Sequence, residues 1–177
     1  MRRARRAALE RRGVRVATIE DASDFDGVRG NVRRVSAELD RDAEGAVLLE
    51  EMDARLERAA AAGASGSALY MTPGGFTAGD QTLVGAVLRA AGFSSAAESP
   101  WFAPVSVERL LFEPPARFVL AFYERVRADW RGAGRHPALR RLMGRRETVS
   151  LPGSLMGCPA WFAAEAAERL AVEGAER

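Results

Sequence analysis

The run Ala68-Leu69-Tyr70-Met71, followed at once by Thr72-Pro73-Gly74-Gly75-Phe76-Thr77-Ala78-Gly79, constrains the fold more than any other stretch of these 177 residues. Four apolar residues read as a short buried strand, and the glycine-rich loop ends it. Asp80 to Ala91 then reads as a helix closed by Gly92. Strand, glycine loop and helix open a parallel α/β unit, in which ligands lie outside the carboxyl ends of the strands. Glycines there let the backbone come close to a ligand. The loop is not a P-loop, because no Gly-Lys-Ser/Thr follows. Gly74, Gly75 and Gly79 do not fit the dinucleotide fingerprint either. Taken alone, it is a tight strand-to-helix turn, so the rest of the chain must decide whether it binds anything.

Composition removes several classes. A formal net charge of +2 gives no broad nucleic-acid footprint. All 26 basic residues are arginine, which with the many alanines points to GC-rich coding rather than to phosphate binding. The single cysteine, Cys158, excludes an internal disulfide and a cysteine-cluster zinc site, and the single histidine, His136, argues against a histidine metal site or a triad. No apolar run approaches the length of a membrane span. The start, Met1 to Arg6, is basic, but no apolar core or cleavage site follows it, so as written it is not a signal peptide.

Along the chain, residues 2–12 read as a basic, solvated helix and Val14–Ile19 as a short alternating strand. Ser23 or Asp24 is placed to cap a helix whose apolar stripe is Phe25, Val28, Val32, Val35 and Leu39. A second helix runs from about Ala43 to Ala62, a rod of roughly 30 Å, long enough to bridge two lobes. After the strand–loop–helix unit, Phe93 to Pro104 is a looser segment containing Trp101 and Phe102. Ser106 caps a short helix, Val107 to Phe112. Arg117 to Tyr123 is a continuous apolar run, as in a central parallel strand. A polar loop with Trp130 follows it. Pro137 to Met143 is a helix, Glu147–Leu151 a strand, Pro152–Pro159 a second glycine/proline loop and Ala160 to Val172 the last helix. The alternation from residue 66 onward predicts a parallel sheet flanked by helices, in the α/β class, preceded by a long connecting helix.

Several segments together resemble the substrate-binding proteins of ABC importers for cobalamin, haem and ferric siderophores (class III periplasmic binding proteins), in which one long helix joins two α/β lobes. The segments are Leu69 to Gly79, Thr82-Leu83 through Ala90-Ala91-Gly92-Phe93, Val105-Ser106-Val107-Glu108-Arg109-Leu110-Leu111, His136-Pro137-Ala138-Leu139 and Val149-Ser150-Leu151-Pro152-Gly153. The resemblance divides the chain into three. Residues 1–24 match a remnant of the N-terminal lobe, 25–65 the connecting helices and 66–177 a complete C-terminal lobe. Most of an N-terminal lobe and a secretion signal are not among these residues. The chain departs from the family's usual Pro-Asp before the second strand, having Pro115-Ala116, and has Pro100-Trp101-Phe102 where a glycine is common.

By position the resemblance implies ligand contacts from Gly74, Gly75, Phe76, Trp101, Phe102 and Tyr123. Aromatic faces suit flat macrocycles and catecholates. Each aromatic has a structural alternative: core packing or an exposed loop for Trp101 and Phe102, and a buried, hydrogen-bonded position for Tyr123. Trp161 either lines the same cleft or packs helix on sheet. Glu108 is implied as the carboxylate that docks on arginines of the membrane permease, against the alternative of a first-turn glutamate favoured by the helix dipole. The implied partners are the permease and a metal-chelate or corrinoid ligand, with no nucleic acid, no cofactor and no metal site. The implied location is periplasmic, or cytoplasmic if Met1 is the true start. Weak or no affinity is expected of these residues alone. Two rival readings stand beside this one. One is a small α/β enzyme with Cys158 as nucleophile. The other is an interaction domain that forms homodimers through the exposed apolar surface of the long helix.

Overall fold

The computed structural model of the chain describes residues 7–124 and 131–175; Trp130 falls outside them. Helix α1 (Phe25–Glu38) and the long helix α2 (Asp42–Ala61) precede β1 (Gly66–Met71), β2 (Phe76–Ala78), α3 (Leu83–Ala90), β3 (Phe93–Ser95) and β4 (Phe102–Pro104). Then come α4 (Val107–Phe112), β5 (Arg117–Ala121), a 3-10 turn (Ala133–Arg135), α5 (Pro137–Met143), β6 (Glu147–Leu151), α6 (Gly153–Met156) and α7 (Ala163–Ala175). Among the described residues no helix is long and apolar enough to cross a membrane.

The main sheet has the order β3-β1-β5-β6, and each of its pairings is parallel. Handedness explains where the helices lie. The path from β1 to β3 runs one way across the sheet, and those from β3 to β5 and from β5 to β6 run the other way. Right-handed crossovers must therefore put α3 on one face and α4 and α5 on the opposite face. The core divides accordingly. Ala68, Tyr70, Val119, Ala121, Val149 and Leu151 join α2, α3 and α7 on one face. Leu69, Met71, Phe118 and Leu120 join Leu110 of α4 and Leu139 and Met143 of α5 on the other. Successive residues of β1 and β5 thus serve opposite layers, as the strand period of two requires. The apolar runs were readable as strands because both faces are covered.

The long helix is fastened to the last one by charge. Glu168 of α7 accepts from Arg58 Nε at 2.5 Å and from Arg55 Nη1 at 3.0 Å. Hydrogen bonding from Arg58, reinforced by both positive charges, holds the Glu168 carboxyl below its ordinary value of 4.5. A depressed carboxylate pKa contributes stability that is complete above about 4.5 and disappears as pH falls through the lower folded value. Glu168→Gln is therefore expected to cost about 1 kcal/mol at pH 7, because the pair is partly screened. The variant's melting temperature should converge with that of the parent as the pH falls through the lowered folded value. A constant difference between the two melting curves from pH 7 to pH 3 would sink this assignment.

Four expectations are corrected. Residues 14–19 form no strand: the segment joins no sheet among the described residues, and Arg34 Nη1 donates to the Thr18 carbonyl at 3.0 Å where a ladder partner would. The looser segment after Gly92 contains two strands of three residues each, β3 on the edge of the parallel sheet and β4 antiparallel to β2. The glycine loop after β1 itself contains β2. The last helix begins at Ala163, three residues later than its apolar pattern suggests, and α6 occupies part of the second glycine/proline loop.

Candidate functional site

The sheet reverses its direction of growth between β1 and β5, so the crevice outside Met71 and Ala121 is its topological switch point. Chain segments fill that crevice. The loop Thr72–Gly75 turns on a hydrogen bond from Gly75 N to Thr72 O of 2.9 Å, with Gly75 at φ 83°, a conformation that favours glycine. The segment before α5 lies directly over it. A Cβ on Gly132 would sit 2.2 Å from the Pro73 carbonyl oxygen, and one on Gly134 2.2 Å from that of Thr72. Tyr123 clamps the two segments. Its hydroxyl donates to Gly134 O at 3.0 Å and lies 3.4 Å from Thr72 O, with the Arg135 guanidinium 5.4 Å from the ring centre. Burial pushes the Tyr123 hydroxyl up to about 12, with Arg135 opposing. Just before it, Phe122 has φ 68°, an uncommon conformation for a bulky residue, which turns the chain sharply off the end of β5. Glu124 then accepts from Gly153 N at 2.8 Å and ties β5 to the segment after β6.

An open cavity lies beside this plug. It has a volume of about 460 Å³, within the range of small-molecule sites. Three parts of the chain build it: the entry to α3 (Gln81 to Val84), Trp101 and Phe102 around the start of β4, and Leu155 to Pro159 after β6. Asp21 to Ser23, just before α1, complete the rim. Thr82 caps α3, its hydroxyl accepting from Gly85 N at 3.2 Å while donating to Gly79 O at 2.7 Å. The segment leading into β4 is held against this entry by Gly79 N to Trp101 O at 3.2 Å and Gln81 N to Pro100 O at 2.8 Å. Trp101 and Phe102 remain 56% and 63% exposed, so large aromatic faces stand uncovered at the cavity.

The implied ligand residues therefore separate. Trp101 and Phe102 share the cavity. Gly74 and Gly75 lie in the plugged crevice, Tyr123 is half-buried in the clamp, and Phe76 is half-exposed on β2. Trp161 packs edge-on to Phe162 with ring centres 5.4 Å apart and lines a separate apolar groove of about 330 Å³ against α1 and α2. Cys158 is exposed and lines the cavity. His136, the only candidate base for it, caps α5 by accepting from Ala138 N at 3.3 Å. Sequence reasoning missed Asp21, Gln81, Thr82 and Met156. Thr82 carried a signal, a cap residue directly before the apolar run of α3.

Glu108 stands in the first turn of α4, exposed, with Ser106 Oγ donating to its Oε2 at 3.2 Å. Hydrogen bonding from its own backbone N–H, then from Ser106, holds its carboxyl below the usual range. Three residues on, Leu111 and Phe112 are 45% and 86% exposed. The carboxylate therefore sits beside uncovered apolar surface.

No protein-family model matches the chain, and neither does any protein of curated function. Solved structures do. The apo haem-binding protein RhuT from Roseiflexus sp. RS-1 is similar at 20% identity and a TM-score of 0.77, over 96% of this chain and 70% of that one. The periplasmic haem-binding protein BhuT is similar at 23% identity and a TM-score of 0.74, over 96% and 69%. The vitamin B12-binding protein BtuF of Vibrio cholerae is similar at 14% identity and a TM-score of 0.64, over 99% and 71%. The expected parallel sheet flanked by helices is present, and the chain has the fold of the class III periplasmic binding proteins of ABC importers over about 70% of their length.

Proposed function

We propose that the chain is the substrate-binding component of an ABC importer for cobalamin, haem or a ferric siderophore, acting outside the membrane with a permease. In this reading residues 66–177 are the C-terminal lobe, 25–65 the connecting helices and 1–24 the edge of a second lobe. One observation carries it: in a fold shared with such proteins, the cavity at the carboxyl end of the sheet presents two uncovered aromatic faces, Trp101 and Phe102. The chemistry required is burial and stacking, not bond making. Gly74, Gly75, Phe76 and Tyr123, which the resemblance also implies, lie outside this cavity, so the reading gives them contact only with a ligand that extends beyond it. Because these residues supply one side of a cleft, affinity is expected at ~10 μM or weaker.

Amide chemical-shift titration of the chain with cyanocobalamin, haem and a ferric hydroxamate tests this. Saturable shifts confined to Gln81–Val84, Trp101–Phe102 and Leu155–Cys158 are expected with at least one of them. Trp101→Ala should weaken that binding about tenfold, since one aromatic stacking face contributes ~1–1.5 kcal/mol. The absence of saturable shifts at the cavity with all three would overturn the reading.

The same reading gives Glu108 to permease docking, in which a preoriented carboxylate meets arginine beside the apolar patch of Leu111 and Phe112. Glu108→Arg is expected to reduce binding to the nanodisc-reconstituted permease at least tenfold, leaving ligand-induced shifts at the cavity unchanged. Undiminished permease binding would remove Glu108 from the interface.

A further inference from the structure

We infer that the cavity selects ligands by charge, taking flat apolar ligands of zero or positive net charge in preference to polyanions. The inference rests on the binding-protein reading above and names the substrate class of the same cavity. Among the described residues lining it, Asp21 is the only acidic or basic side chain, although the chain carries 26 arginines and a formal net charge of +2. Its neighbour Glu20 accepts from Arg34 at 3.4 Å, and Asp26 and Asp53 both accept from Arg29. Asp21 itself joins no ion pair or hydrogen bond among the described residues, and it stands exposed at the cavity rim. Trp101 and Phe102 add to that preference. The face of an aromatic ring is the negative pole of its quadrupole and attracts cations. Leu155 and Met156 add apolar lining to the same cavity. A carboxylate and two aromatic faces around an apolar floor recognise a hydrophobic cation or a neutral macrocycle. They repel a ligand that brings several carboxylates or catecholates to the same wall.

Two corrinoids of nearly one shape test this. Cyanocobalamin is neutral, whereas aquocobalamin at pH 6 is a cation through its cobalt-bound water. Both are titrated against the full chain at low ionic strength, in a Cys158→Ser background that prevents ligation of cobalt by the thiol. Haem, with two carboxylates, is the third probe, and cavity amide shifts are the readout. Aquocobalamin is expected to bind about fivefold more tightly than cyanocobalamin, as one charge near an exposed carboxylate provides at low ionic strength. Asp21→Asn should erase that ratio, and haem should bind most weakly. Equal affinities for the two corrinoids, a ratio untouched by Asp21→Asn, or tighter binding of haem would overturn charge selection and leave the binding-protein reading standing. The absence of cavity shifts with all three probes would overturn both.

Discussion

Gly79→Ala is expected to lower the free energy of unfolding by about 3 kcal/mol, the upper end of what overpacking costs. The reason is a backbone collision. A Cβ at this position would lie 1.9 Å from the Ser99 carbonyl oxygen and 2.8 Å from Pro100 Cα, and neither can rotate away. Relief requires the entry of α3 to separate from the segment before Phe102. That separation breaks Gly79 N to Trp101 O and Gln81 N to Pro100 O. It also disturbs the Thr82 cap, which donates to Gly79 O. The same movement pulls apart two walls of the 460 Å³ cavity, so ligand-induced shifts should disappear at temperatures where the variant is still folded. Gly30→Ala supplies the contrast. Gly30 is exposed within α1 and a Cβ there meets nothing within 4 Å. It should therefore gain up to about 1 kcal/mol, the helix-propensity difference between the two residues. Urea unfolding of both variants measures the pair of effects. A Gly79→Ala protein as stable as the parent would mean that the Ser99–Pro100 backbone does not lie against Gly79.

This glycine also shows where the sequence was readable and where it was not. That Thr72–Gly79 is a special loop at the carboxyl end of a strand was legible from glycine density and the apolar run before it. What the glycines accommodate was not. The sequence suggested a ligand approaching the backbone, whereas Gly79 receives the 99–100 backbone and the Thr72–Gly75 turn receives Gly132 and Gly134. Both approaches join segments far apart in the chain, and no local pattern encodes them. The helices were legible because each carries its own signals: the Asp24 and Ser106 caps, Pro137 in the first turn of α5 and the stripe along α1. Three-residue strands carry almost none. β3 is defined by its pairing with Gly66–Ala68, and β4 by its pairing with Phe76–Ala78. Conversely, Val14–Ile19 has strand composition and no strand to pair with, so the alternation misled. The aromatic pair Trp101–Phe102 was singled out by residue type and position, and the structure sets it on a cavity. Asp21, 80 residues away in the chain, could join it only through folding.

Phe118→Ala should be the most destabilising single truncation, costing about 4 kcal/mol. Phe118 is fully buried in a central strand, paired on both sides, and fills the layer between the sheet and helices α4 and α5. Those two helices have six and seven residues and cannot persist on propensity alone, so the apolar contact with Phe118, Leu69 and Leu120 holds them in place. For a chain of this length the melting temperature should fall by about 10 °C. The loss should also be one-sided. Hydrogen exchange at amides of α4 and α5 should quicken more than at α3 and α7, which pack on Val119 and Ala121 on the opposite face. Function should divide the same way. Glu108 rides on α4 and should lose its fixed orientation, and the permease binding proposed for it should weaken. The cavity built on the entry of α3, Trp101 and the segment after β6 should keep its ligand-induced shifts. Equal loosening of both helical layers would contradict the division of the core by the sheet, and so the topology from which the placement of both sites follows.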